Sequence, residues 1–293
     1  MKKILLLATL LIFITGLSTE SVAGKYSMKD SDLIAQASKD PGTWVLSFRG
    51  GLNGSQASFR DWQGGGVNTL ALTSSAVFQA AYRQGHFGYS HLTNLRYGQA
   101  KIDGDHRKTD DLINVRNQFR YFFPNEAWSG LLDINFQTQF DIGRDRDNVL
   151  LISEFMSPAY ITETLGITYK PASFFNASFG LSLKQTIVNN TTLSERYGLA
   201  AGKNFKNEAG ATFILNYQQD IWENVRLTSS LETFTSFNQV VDRTDFLFSN
   251  ELSASINRYL STNFQFVMLY NADVIEKIQM KQVLSVGLTY RFL

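Results

Sequence analysis

Two sets of side chains in this sequence could do chemistry. The first is a series of charged residues that share one face of long alternating segments: Arg49, Arg96, Arg116, Arg120, Lys184, Arg226 and Arg291, with Asp133, Glu232 and Glu251. On the inner face of a closed sheet such residues either fill the interior as ion pairs or line an aqueous path. The second is His91, two residues before Thr93, a base beside a hydroxyl. His86 falls in a short turn and His106 in a charged segment, so neither completes a cluster with it. The chain has no cysteine, which removes disulfides, Cys–zinc sites, iron–sulfur clusters and thiol catalysis. Asp145, Asp147 and the pair Asp110-Asp111 match no calcium-loop spacing, so no metal and no cofactor is expected. With 27 Lys+Arg against 26 Asp+Glu, no electrostatic case exists for a nucleic-acid partner.

The elements that position these residues follow from a period of two. After Gly42 apolar residues recur at every second position, as in Trp128, Gly130, Leu132, Ile134, Phe136, Thr138 and Phe140, alternating with Ser129, Leu131, Asp133, Asn135, Gln137 and Gln139. A soluble sandwich strand is about five or six residues long. This segment has the length that crosses a bilayer at a tilt. The mean hydropathy of −0.14 excludes a bundle of membrane helices. The pattern predicts twelve strands, near 43–53, 67–83, 87–98, 112–123, 128–140, 159–170, 175–188, 208–221, 225–237, 245–257, 261–271 and 279–293. Short connections at 84–86, 124–127, 171–174, 222–224 and 258–260 alternate with long ones near 54–66, 99–111, 141–158, 189–207, 238–244 and 272–278. That alternation predicts an all-β, closed antiparallel transmembrane barrel over residues 43–293, with short periplasmic turns and longer extracellular loops. Tyr82, Phe87, Phe123, Trp128, Tyr169, Phe174, Trp222, Tyr259 and Phe264 flank the short turns. Amphipathic rings there would form a girdle at the membrane interface.

The first residues read as an address. Lys2 and Lys3 precede the apolar run Ile4–Leu17, and Ser21-Val22-Ala23 supplies small residues for cleavage. Residues 1–23 are therefore expected to be a secretory signal peptide, followed by a polar periplasmic tail at 24–42. The destination would be the outer membrane, with its lipid and the periplasmic chaperone and barrel-assembly machinery as partners. Once the signal is removed the charges cancel, yet the inferred inner face is basic. The leading expectation is a non-enzymatic narrow pore for small, preferably anionic solutes. The alternative is a closed structural or interaction barrel. Phe59, Trp62, Gly64, Gly65 and Gly66 could fold a long loop over the mouth as a lid. Glu163 breaks the rule of the outer face, since parity sets it between Ile161 and Leu165. Either a bulge changes its facing or it lies at the interface.

Several segments carry a resemblance: Phe59-Arg60-Asp61-Trp62-Gln63-Gly64-Gly65-Gly66, Tyr97-Gly98, Arg107-Lys108-Thr109-Asp110-Asp111, Asn135-Phe136-Gln137-Thr138-Gln139-Phe140 and Phe155-Met156-Ser157-Pro158-Ala159-Tyr160. In this order they resemble a family of outer-membrane barrels from Bacteroidota-type bacteria, catalogued as a domain of unknown function. The resemblance implies the barrel and its location, and no activity. The chain departs from the usual barrel-assembly signal by ending on Leu293 after Phe292. A shorter stretch, Tyr89-Ser90-His91-Leu92-Thr93-Asn94, resembles part of outer-membrane phospholipase A, another twelve-stranded barrel. That likeness implies a third alternative, a lipid hydrolase using His91. Thr93 stands where that family has serine, and the sequence places no clear Asn or Asp to orient His91.

Overall fold

The computed structural model describes residues 37–57, 69–102, 104–145, 149–238, 243–257 and 259–292. The expected signal peptide, the tail before residue 37 and the proposed lid residues Phe59, Trp62 and Gly64–Gly66 lie outside the described residues. The strands are β1 (Trp44–Ala57), β2 (Thr69–Gln84), β3 (Phe87–Ile102), β4 (Asp105–Phe122), β5 (Trp128–Thr138), β6 (Gly143–Arg144), β7 (Leu151–Ser153), β8 (Ala159–Ala172), β9 (Phe175–Ile187), β10 (Phe205–Trp222), β11 (Val225–Ser236), β12 (Asp245–Ser255), β13 (Leu260–Asn271) and β14 (Ile275–Arg291). Twelve of them close into one antiparallel barrel, in which each strand pairs with its sequence neighbours, β5 pairs with β8, and β14 returns to β1. β6 and β7 form a small separate hairpin in the connection between β5 and β8.

Closure follows from the alternation. Apolar side chains on the outer face have nothing of the protein to pack on, and unpaired backbone groups are costly in lipid, so only a sheet without edges satisfies both. Leu132, Leu165, Leu181, Leu183, Leu284, Val286 and Leu288 are exposed on the outside. Ser129, Asp133, Thr164, Ser182, Lys184 and Thr212 are buried on the inside. The girdle residues Phe87, Phe123, Trp128, Tyr169, Phe174, Trp222, Tyr259 and Phe264 are all exposed beside the short turns. Trp128 and Tyr169 meet across β5 and β8 with ring centroids 4.5 Å apart.

Two expected long loops are instead strand. β3 and β4 extend to a tight turn at Gly104, which takes φ +99°, and β13 joins β14 through Ala272–Val274. Charged residues such as Lys101, Asp105, Arg107 and Lys108 read as loop because they break the apolar alternation, but a strand that projects past the apolar band into water has no need of it. The connection after β9 is compact, with two short 3₁₀ turns (Thr191–Leu193 and Glu195–Tyr197) around buried Val188, Leu193 and Leu199.

The interior is asymmetric. From β5 through β10 the inner wall is closely packed, with a ladder in which the Ser182 hydroxyl bonds Thr164 (2.8 Å) and Thr212 (2.6 Å) and a second link from Thr168 to Ser178 at 2.8 Å. Gly166 faces Gly180 across β8 and β9 so closely that a Cβ on Gly166 would strike the Phe179 carbonyl. On the opposite side, the inner faces of β12, β13, β14, β1, β2 and β3 border a cavity of about 570 Å³. At the short-turn mouth Ala37 is fully buried against Ala81 and Phe122, with Val45 beside them, and Arg83 donates to the Ser38 hydroxyl at 2.9 Å.

Candidate functional site

Every charged residue expected on the inner face whose side chain is described points into the barrel. The structure brings only some of them together. Arg116 on β4 grips Asp133 on the adjacent β5 with two nitrogens, Nε at 2.8 and 3.0 Å and Nη2 at 2.7 Å. Asp133 is 2% exposed, so the part-buried Arg116 serves as the counter-ion that makes its burial tolerable. The Arg116 Nη1 also approaches Glu232 of β11 at 3.7 Å. β4 and β11 are five places apart around a ring of twelve strands, so this contact crosses the lumen. A ring of that size, with strands about 4.8 Å apart and tilted about 40°, has a backbone diameter of roughly 24 Å. Long side chains from opposing walls therefore meet, and the Arg116–Glu232 contact narrows the lumen.

Arg96, Arg116, Arg120 and Asp133 lie on three consecutive strands but do not join in one lateral ladder. Arg96 turns to Asp110 at 3.4 Å, and buried Arg120 donates to Gln118 at 2.9 Å. Lys184 pairs with Asp245 at 2.5 Å and lies over the Phe234 ring at 5.0 Å. Arg226 pairs with Asp220 at 2.7 Å beside a short turn. Arg49 donates to Gln79 at 3.0 Å and borders the cavity with Arg96 and Glu251. Arg291 pairs by backbone with Arg49; its side chain is outside the described set.

Sequence reasoning missed the carboxylates that answer these cations. Asp110, Asp245, Glu208 and Asp273 take part in further inner ion pairs: Lys281 with Asp110 at 3.3 Å, and Lys206 with Glu208 at 3.2 Å and Asp273 at 2.7 Å. Asp110 lies in a segment read as loop. The partners of Asp245 and Asp273 are 61 and 67 residues away in sequence, a distance only the closed ring spans.

The outer face holds a second polar group. β3 and β4 pair in a register that sets His91 directly opposite Asn117. Asn117 Oδ1 is 2.9 Å from His91 Nδ1, His91 Nε2 is 2.8 Å from the Thr93 hydroxyl, and Tyr89 donates its hydroxyl to Asn117 Oδ1 at 2.8 Å. Asn117 thus supplies the orienting residue that sequence reading did not find. Its signal was present: it is the polar break in the outward series Ile113, Val115, Phe119, Tyr121. Glu163 is also on the outer face, opposite Ile134 and Leu183. The register of β8 is unbroken from Ala159 to Tyr169, so no bulge alters its facing.

Residues 55–143 match a protein family described as "Protein of unknown function (DUF3078)", in line with the resemblance drawn from the sequence. No curated protein matches the chain at a significant level. Among solved structures, an outer membrane channel from Pseudomonas putida F1 is 9% identical with a TM-score of 0.39, covering 86% of this chain and 98% of its own. The translocator domain of the autotransporter NalP from Neisseria meningitidis is 13% identical at TM-score 0.34, covering 94% and 100%. The outer membrane channel DcaP of Acinetobacter baumannii is 7% identical at 0.33, covering 87% and 98%.

Proposed function

We propose that this barrel resides in the outer membrane, after cleavage of its signal peptide, as a narrow pore for small solutes. The observation that carries the reading is the cavity bounded by β12, β13, β14, β1, β2 and β3. Its lining runs from Asn257 and Tyr259 beside a short turn to Thr109 and Asp110 in the far half of the barrel. Arg49, Asn53, Asn94, Arg96, Glu251 and Gln265 give it hydrogen-bonding walls, and a polar lining of this kind lets a solute exchange its hydration shell. The Arg116–Glu232 contact narrows the lumen on its other side. Arginines on the inner wall favour anions, and the carboxylates paired with them keep that preference modest.

Refolded protein in a planar bilayer tests the reading. Discrete openings with a small anion preference are expected, and Arg116→Ala raises the conductance while lowering that preference. Silence at every voltage, for a protein with the heat-modifiable gel mobility of a folded barrel, overturns it in favour of a closed structural barrel.

A further inference from the structure

The Thr93–His91–Asn117 arrangement on the outer wall has the connectivity of a hydroxyl-activating triad. Asn117 Oδ1, already accepting from Tyr89, requires a donor at His91 Nδ1. That tautomer leaves Nε2 unprotonated, with its lone pair 2.8 Å from Thr93 Oγ1. The three residues come from paired strands of a closed sheet, so their spacing is fixed by register and not by a loop. All three are half-buried. Phe78 and Val115, directly opposite Thr93 on the two neighbouring strands, and Phe119 two residues beyond Asn117 surround the group with apolar surface. A molecule can reach Thr93 only from the membrane side. His91 is four residues into β3 from its short-turn end, about 10 Å for a tilted strand. Tyr89 lies between, against Trp44 at 5.8 Å between ring centroids, at the level where such rings mark the headgroup boundary. The ester carbonyls of a bilayer lipid lie at that boundary.

We propose that this outer-face triad is an acyl-ester site acting on membrane lipid, with Thr93 as nucleophile, His91 as general base and Asn117 as its positioning residue. Thr93 Oγ gives its proton to His91 Nε2 and bonds to the ester carbonyl carbon. The tetrahedral adduct collapses, the C–O bond to the lipid alcohol breaks, and the departing oxygen takes the proton from Nε2. Water at the interface then gives a proton to Nε2 and its oxygen to the acyl carbon. The fatty acid leaves and the Thr93 hydroxyl is restored.

The test uses the full-length barrel refolded into phosphatidylcholine vesicles carrying a fluorescent acyl chain, and in parallel a long-alkyl fluorophosphonate that reports a nucleophilic hydroxyl by mass. Wild-type protein is expected to release fluorescent fatty acid and to take up the probe at Thr93. Thr93→Val and His91→Ala should each reduce both signals by about 10²–10⁴-fold while the barrel keeps its heat-modifiable mobility. Thr93→Ser should recover the labelling and turnover that Thr93→Val loses. Asn117→Ala weakens it, whereas Asn117→Asp restores it with the pH profile moved upward, because a carboxylate favours protonated His91; a merely structural role would not move that profile. Folded wild-type protein without labelling or lipid turnover overturns the proposal, as does turnover that persists unchanged in Thr93→Val.

Discussion

The two halves of the barrel wall use the same alternation for different ends. From β5 to β10 the inner positions hold Asp133, Thr164, Thr168, Ser178, Ser182, Lys184 and Thr212, all buried and almost all bonded to one another or to a counter-ion. From β12 round to β1 the inner positions hold Glu251, Ser253, Asn263, Gln265 and Asn53, which face open space. Composition barely distinguishes the halves. What differs is reach: short hydroxyl residues in register with glycine let β8, β9 and β10 fill their side, whereas on the β12–β1 side Lys281 reaches Asp110 at 3.3 Å and Glu251, Ser253, Asn263 and Gln265 border the cavity. The packed half supplies stability, and the open half leaves the space on which the proposed pore depends.

Asp133→Ala strikes the packed half hardest. It leaves the part-buried Arg116 without its principal carboxylate and only the more distant Glu232 beside it, an expected loss of about 2–4 kcal/mol in urea titrations of the refolded barrel. Glu251→Ala, in the open half, should stay within about 0.5 kcal/mol of wild type. Equal losses at the two positions would erase the distinction between the halves.

Overpacking sharpens it further. Thr212 is 2% exposed and bonded to Ser182, so Thr212→Trp is expected to cost about 1–3 kcal/mol or more. Gly210→Ala should act in the same direction, since a Cβ there meets the Phe234 ring at 2.7 Å. Melting of both variants by loss of heat-modifiable mobility gives the comparison with tolerant sites on β13.

The outer face gives a smaller effect of opposite sign. Glu163 faces lipid between Ile134 and Leu183. A carboxylate there is less costly than a buried base of the same depth, so Glu163→Leu is expected to stabilise by about 1–2 kcal/mol, measured by equilibrium unfolding from vesicles. A loss of stability would mean that Glu163 has a partner on this face.

The smallest effect is in the connection outside the membrane. The backbone N–H of Val149, and after it that of Leu150, hold the Asp145 carboxyl below the usual carboxylate range, helped by Arg196 and Arg144. A depressed carboxyl contributes order that is present above its unfolded value near 3.9 and is lost as the pH falls below it. Hydrogen exchange at the Val149 and Leu150 amides, which bond the Asp145 carboxylate, should thus stay slow at neutral pH and quicken relative to neighbouring amides only in acid; Asp145→Ala should lose that protection at both.

Much of this fold is legible in the sequence because a closed sheet has one rule, and residues such as Leu132, Leu165 and Leu181 obey it strand after strand. The ring closure and the inward set from Arg49 to Glu251 follow from parity alone. Pairing across the lumen does not. Nothing near Lys184 announces Asp245, and nothing near Arg116 announces Glu232, since these contacts depend on ring diameter. Strand and loop look alike where β3 and β4 leave the membrane, as at Lys101 and Arg107, because the alternation that marks a strand ends where lipid ends. Asn117 was legible in principle as a polar residue at an outward position. Its meaning needed the register that sets it against His91.

The pore account is tested most directly by current through one altered wall. Ser253 lines the open cavity and hydrogen-bonds Asn263, so Ser253→Trp should fold to a heat-modifiable barrel and carry only a small fraction of the wild-type single-channel conductance in a planar bilayer. Unchanged conductance in that variant would contradict a conduit along β12, β13, β14 and β1.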